Sequence, residues 1–581
     1  MRWLVIILVL DLAVASWIAL GASEENEADF IFACPGAHRF LDPQRMSWLR
    51  DIRIAECLFE PLTRVRLPDM VIGPGVAKRW QVSEDGKTYT FSLRPDARWS
   101  NGDPVRSGDF IYAWRRALLP DLAADYSQML WAIKGAEAFF KWRQGQLVTY
   151  LEHASNRTLA NAKALLDEAI VRFDQTVGLS APDDRTLVVE LVRPVPYFLQ
   201  LCAFATFMPV HQATVEAQIS LSVQTGRLVQ DPYWTRPGRL VCNGPYVLKR
   251  RRFKRDLLMV ANPHYWNRSA MGNASILERI VPSPSNALLL YEAGRVDWLP
   301  DIPSSGSLAA DLVEQGRRDV QVFPASGTYF YNFNCRPKAL DGSYNVLSDS
   351  RVRRALSMAI DRQAVVENIT RLGQPTAMTF VPVGALPGYR PPVEAGARFD
   401  PQAARKLLAE AGYNNPQSAR QLQGLSILYN TGGGHEHIAQ AVKRMWDEHL
   451  GVKVKLEGQE VSVFGDRLRN HDFTIARAGW FGDYLDPTTF LDKFRTDNGN
   501  NDAAYSNPQF DRLIRQAEAE MIPAKRMVIL QEAEKLMLSE QPIAPINQYV
   551  NLHVFDPQRV QGLHLNPWNF RRLEFVRVRR P

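Results

Sequence analysis

Three groups of residues in this 581-residue chain have the types and spacing to do chemistry. The first is His435-Glu436-His437, an H-x-H pair behind three glycines. Two imidazoles so placed offer two metal ligands, yet a zinc site takes at least three from the protein and no third is identifiable, so no metal is expected. The second is the carboxylate pair Asp483 and Asp486 in Gly479-Trp480-Phe481-Gly482-Asp483-Tyr484-Leu485-Asp486-Pro487, the raw material of an acid and base couple. No G-x-S-x-G, H-E-x-x-H, phosphate-loop or G-x-G-x-x-G pattern accompanies it. The expectation is a protein that binds rather than catalyses, with no cofactor. The third group is basic: Lys-Arg-Arg-Arg-Phe-Lys-Arg at 249–255 and Arg-Arg-Leu-Glu-Phe-Val-Arg-Val-Arg-Arg at 571–580. The former falls where a hairpin loop belongs and carries one aromatic, which reads as a solvated face and not as a nucleic-acid site. Contact with anionic lipid or with a membrane partner is its other reading.

The elements that must position these groups come from a composition of 46% hydrophobic and 23% charged residues, that of a globular protein with material for two or three domains. A net charge of +7 is mild over this length and demands no polyanionic partner. The clearest local element is 81–93, where Glu84-Asp85-Gly86-Lys87 makes a turn and Tyr89, Phe91 and Leu93 alternate with Thr88, Thr90 and Ser92: a half-buried hairpin. A second hairpin is expected over 244–262, around the basic loop. Asp349-Ser350 precedes 351–369, where Val352, Leu356, Ala359 and Ile360 recur at helical spacing behind a capping residue. Asp400-Pro401 opens a helix that Gly412 stops. Strand (425–430), glycine turn, helix (437–450), strand (452–456) and strand (472–480) then follow. That order argues for a mostly parallel sheet with its ligand site beyond the strands' carboxyl ends.

At the start, Arg2 precedes the apolar run Trp3 to Ala22 and an acidic stretch. Residues 1–24 read as an export signal peptide or, since the run has about the 20 residues a spanning helix needs, as a retained N-terminal membrane anchor. Asp11 would cost such an anchor about 2.5 to 3.5 kcal/mol. The expected location is the periplasm or the outer face of the cytoplasmic membrane. Five cysteines without a C-x-x-C pair are too few for a disulfide framework; Cys202 and Cys242 either pair in an oxidising compartment or serve as small buried hydrophobes.

Longer stretches carry a resemblance. Residues 76–116, VAKRWQVSEDGKTYTFSLRPDARWSNGDPVRSGDFIYAWRR, are followed in order by CNGPYVL, NPHYWN, YEAGRVDW, RVRRALSMAIDR, AARKLLAEAGY and RAGWFGDYLDPTTF. Together they resemble solute-binding protein family 5 of ABC importers, the oligopeptide- and dipeptide-binding type. The resemblance runs from about Asp42 to Pro567 and implies an α/β, two-lobed periplasmic-binding-protein-like fold (type II, cluster C) with an extra domain. Domain I would comprise 28–60, 186–267 and 547–581; domain II, the extra domain of lobe 1, 61–185; and domain III, lobe 2, 268–546. A short peptide enclosed between domains I and III, ABC transporter permease subunits as membrane partners, no nucleic acid, and a monomeric state are implied. Members that bind nickel chelates, cell-wall peptides, haem or sugars supply the alternative ligands.

A receptor for peptides of varied sequence must read what all peptides share. A buried carboxylate suits the α-ammonium, and the resemblance gives Asp483 of the GW-x-x-D motif that role. Ala478, Gly479 and Phe481 would add backbone hydrogen bonds, and Trp480 would cover the first ligand residues. The plain alternative is that Asp483 caps a turn and Trp480 fills core. For the ligand's carboxylate, Arg477 and His435 match cationic positions, His435 reading equally as a loop histidine. A third position, a lysine in the family, is Pro337 here, between Arg336 and Lys338. Val461, after Gln459-Glu460, stands where oligopeptide-binding members carry tryptophan, so one pocket wall is smaller. Asn430, Asn243 and Tyr246 match cleft positions, although the Asn243-Gly-Pro-Tyr246 turn also reads as a scaffold for lobe 1, and Asp486-Pro487 as one for its own loop.

Overall fold

The computed structural model describes residues 28–580 except 154–156, 304–306, 340, 416, 417, 419 and 497. The signal or anchor expected at 1–24 lies outside the described residues. Lobe 1 rests on a four-stranded sheet. Phe30–Cys34 pairs in parallel with Ser275–Ile280, which pairs antiparallel with Asp256–Ala261 and through it with Tyr246–Arg252. The last two strands are the expected second hairpin, but Lys249–Arg252 continue its first strand, paired against Asp256–Leu258, and only Phe253, Lys254 and Arg255 form the tip. A second sheet holds Ala77–Val82, Thr88–Leu93, Thr186–Glu190 and Leu179–Asp183, all antiparallel. Tyr89, Phe91 and Leu93 are buried in it, as alternation along a strand requires.

Thr186–Glu190 pairs with Thr88–Leu93, and Ser275–Ile280 lies within the lobe 1 sheet because Phe30–Cys34 satisfies its backbone against it.

Lobe 2 is a five-stranded sheet in the order Lys455–Gln459, Ser426–Asn430, Ile475–Phe481, Val320–Phe333, Ile543–Val554. The first three strands are parallel; Val320–Phe333 runs against them, and Ile543–Val554, antiparallel to it, points the same way as the first three, so the sheet is mixed, with two parallel and two antiparallel ladders. The strands Val320–Phe333 and Ile543–Val554 are long, 14 and 12 residues, and at the end of the latter Val554 bridges Leu299, whose neighbour Trp298 bridges Phe32 of the lobe 1 sheet. Their sides are buried alternately, Tyr329, Tyr331 and Phe333 in one core and Phe330 with Ala478 in the other.

The helix expected over 351–369 is divided. Ser350–Met358 is capped by Asp349, and Arg362–Val365 starts afresh because Asp361 accepts from the Ala364 N–H. Pro401–Glu410 is capped by Asp400, and Gly412 ends the turn at φ +97°, a conformation that favours glycine. The strand expected at 452–456 begins at Lys455, where the register with Ser426 places it. All five cysteines are free, Cys202 and Cys242 as buried hydrophobes.

Lobe 1 is fastened by buried charge. The His38 ring bridges Asp51 (2.7 Å from Nδ1) and Glu278 (2.5 Å from Nε2). Burial opposes the imidazolium, but the two carboxylates outweigh it and raise the pKa to about 9. At the other end of the chain, Arg580 pairs with Asp297 at 2.7 Å and donates to the carbonyls of Ala28 and Asp29.

Candidate ligand-binding cleft

Ile475–Phe481 pairs along one edge with the 320–333 strand, Arg477 opposite Tyr331, Gly479 opposite Tyr329 and Phe481 opposite Gly327. On the other edge, Ser426–Asn430 pairs only with Ile475 and Ala476. From Arg477 to Phe481 that edge has no partner strand among the described residues. Backbone donors and acceptors there are placed to take an added strand.

The two-residue period puts Arg477, Gly479 and Phe481 on one face. Tyr549 lies across it: its hydroxyl accepts from Arg477 Nη2 at 2.9 Å and its ring stacks on Phe481 at 4.6 Å. A Cβ at position 479 would overlap that hydroxyl, so only glycine fits beneath Tyr549. Arg477 also donates to Asn430 Oδ1 at 3.3 Å and lies 5.0 Å from the Tyr329 centroid. No carboxylate pairs with it among the described residues. His435, first residue of helix His435–Leu450, sits 5.6 Å from the Tyr329 ring. Burial, then the Arg477 charge, push its pKa down to about 4. It therefore enters the cluster as a neutral ring at neutral pH, bringing hydrogen bonding and not charge.

Ala478 and Trp480 point to the opposite face. Ala478 joins the core around Phe490. The half-buried Trp480 donates from Nε1 to the Thr489 carbonyl at 2.7 Å, with Lys493 Nζ 4.9 Å from its ring, and so braces the 482–489 loop from behind. Within that loop Asp486 is clamped by Arg526 at 2.5 and 2.8 Å and accepts from Thr488, a scaffold role. The Asp483 N–H is fixed by Thr489 Oγ1 at 2.8 Å. Its carboxylate is different: Oδ1 accepts from the Tyr126 hydroxyl at 3.3 Å, and no cation pairs with it among the described residues. Burial raises its pKa, and the Tyr126 hydrogen bond opposes the rise. Beside it Tyr197 stacks on Tyr484 at 4.7 Å and Arg193 pairs with Glu518 at 3.1 Å, so the other lobe meets this loop.

Asn243 belongs to another set of contacts. Its amide is clamped to the N–H and carbonyl of Glu60, both at 2.9 Å, and it touches none of the groups above. Arg336, Pro337 and Lys338 are exposed on their loop, and Val461 is 62% exposed. Sequence reasoning missed Tyr126, Tyr329 and Tyr549. Tyr126 and Tyr549 stand 357 and 72 residues from their partners Asp483 and Arg477, so no local pattern signals them.

Among the described residues, a strand edge without a partner strand is thus flanked by a carboxylate with no cation and a guanidinium with no carboxylate. Residues 71–502 match the family described as "Bacterial extracellular solute-binding proteins, family 5 Middle". This chain belongs to that family. Among family 5 relatives, it is 34% identical to the oligopeptide-binding protein OppA of Bacillus subtilis over 86% of this chain and 83% of the relative. It is 33% identical to the periplasmic murein peptide-binding protein MppA of Escherichia coli, over 89% of this chain and 87% of that one. A solved structure described as the unliganded open form of MppA, periplasmic murein tripeptide binding protein, superposes with a TM-score of 0.77 at 31% identity, covering 95% of this chain and 98% of the other. The two-lobed α/β fold of family 5 is thus the fold of this chain. No helix among the described residues is long and apolar enough to cross a membrane.

Proposed function

We propose that this protein is the extracytoplasmic substrate-binding component of an ABC peptide importer, enclosing a short peptide between its lobes and delivering it to the permease, without catalysis. The observation that carries this reading is the Asp483 carboxylate, drawn out of water, hydrogen-bonded by one tyrosine hydroxyl and, among the described residues, lacking a cation. A desolvated carboxylate is costly without a counter-ion, and the α-ammonium of a peptide supplies one through a charge-assisted hydrogen bond. The open edge at 477–481 supports the peptide backbone as an added strand, and Arg477 faces it as the cation for the ligand's carboxylate. Tyr126 of one lobe on Asp483 of the other couples the ligand's amino terminus to hinge closure over the long 320–333 and 543–554 strands.

In this reading the protein acts as a monomer in the periplasm or on the outer face of the cytoplasmic membrane, with residues 1–24 cleaved or kept as an anchor. Titration calorimetry with short peptides, free and N-acetylated, tests it. Free peptides should bind and acetylated ones poorly; equal affinities would overturn it.

A further inference from the structure

A second polar surface lies on lobe 1 and shares no residue with the cleft. A groove of about 450 Å³ is walled by Arg39, Arg45, Arg236 and Arg251 together with Phe40 and Tyr233. Rings hold the guanidiniums in place: Arg39 and Arg45 lie 4.9 and 3.9 Å from the Phe40 centroid, Arg236 and Arg239 4.4 and 4.2 Å from that of Tyr233. An arginine stacked by its face keeps its edge free for an oxyanion. The four arginines of the wall have no carboxylate ion pair among the described residues; Arg251 donates to the His38 carbonyl at 3.0 Å. Of the acids on the wall, Asp42 is held by Arg116, and Asp231 caps the Tyr233 N–H at 2.9 Å. Four cations therefore face one uncommitted negative charge. Burial lowers the pKa of Arg45 and Arg251, a cost that an anion relieves.

The groove's lip is the hairpin tip, where Phe253 is 72% exposed and Lys254 and Arg255 are exposed beside it. An exposed aromatic among cations is the arrangement of an interfacial anchor: the charges meet anionic headgroups and the ring enters the acyl boundary. A soluble phosphate would leave that ring without a use.

We propose that this groove and hairpin tip dock lobe 1 on an anionic phospholipid surface, phosphate oxyanions lying among the four arginines and Phe253 entering the interface. The test is co-sedimentation of the full chain with vesicles of phosphatidylglycerol in phosphatidylcholine, subtracting retention on phosphatidylcholine alone so that the apolar N-terminal run cancels. Excess retention is expected. It should fall about fivefold per arginine neutralised in Arg39→Gln and Arg236→Gln, fall again in Phe253→Ser, and be lost at high salt, with peptide affinity unchanged throughout. All three side chains are exposed, and the melting curve reports whether each variant is intact; should an arginine variant unfold, Phe253→Ser decides. No excess retention, or excess that these substitutions leave intact, overturns the proposal. Binding of a soluble acidic peptide in place of vesicles overturns it too, assigning the groove to a protein partner.

Discussion

The hydroxyl of Tyr126 stands 3.3 Å from Oδ1 of Asp483, an uncharged donor from one lobe on the unpaired carboxylate of the other. A hydroxyl orients a carboxylate without neutralising it, so the charge remains for the ligand. Asp483→Asn should weaken a free peptide by at least about 1.5 kcal/mol, because a desolvated ammonium loses its counter-charge, while Tyr126→Phe removes one hydrogen bond and should cost about 1 kcal/mol. Calorimetry on both variants checks the order of the two losses.

The same carboxylate sets a pH dependence. Asp483 must be ionised to hold an ammonium, and burial, only partly opposed by Tyr126, raises its pKa above the usual 3.8. Peptide affinity should thus be constant near neutrality and fall as the pH drops, with a midpoint above 3.8. Affinity measured across this range in Asp483→Asn should show no such step.

Gly479 lies under the Tyr549 hydroxyl, where a Cβ would overlap it. Gly479→Ala should therefore displace Tyr549 and with it the Arg477 contact, destabilising the protein by about 1 to 3 kcal/mol, the usual range for overpacking. Adding Tyr549→Phe removes the atom first met and should recover part of the loss, which a double-mutant cycle in urea measures.

His38 gives stability a slope at alkaline pH. Its pKa is about 9 in the folded protein against an ordinary 6.5, so folding favours the protonated ring. The contribution is complete below pH 6.5 and lost as pH rises through about 9, amounting to about 3 kcal/mol at most. Urea midpoints across this window should fall in the natural protein. In His38→Gln they should start lower and vary less.

The sequence already contained much of this. The 81–93 hairpin was legible because Tyr89, Phe91 and Leu93 alternate across a turn with glycine, and Asp400-Pro401 with Gly412 marked a helix at both ends. Asp483 and Arg477 were singled out through a resemblance, and the structure places Asn430 and His435 in the same cluster as Arg477. What was not legible depends on register between distant strands. Tyr549 reaches Arg477 because Ile543–Val554 and Ile475–Phe481 flank the 320–333 strand, and no spacing within either segment encodes that. Nor did any pattern show that Trp480 would point away from Arg477 and brace a loop, or that His435 would be held neutral by its neighbours.

Lobe 1 also imposes an order of events in time. Its first strand, Phe30–Cys34, pairs with Ser275–Ile280, and the clasp of Arg580 on Asp297 and on the carbonyls of Ala28 and Asp29 joins its two ends. A chain made from residue 1 onward keeps that apolar strand unpartnered until residue 275 has appeared, and closures over such separations are slow and aggregation-exposed. Lobe 1 is therefore closed only once Ser275–Ile280 and Arg580 have both joined its first strand, so no shorter stretch counted from that strand completes it.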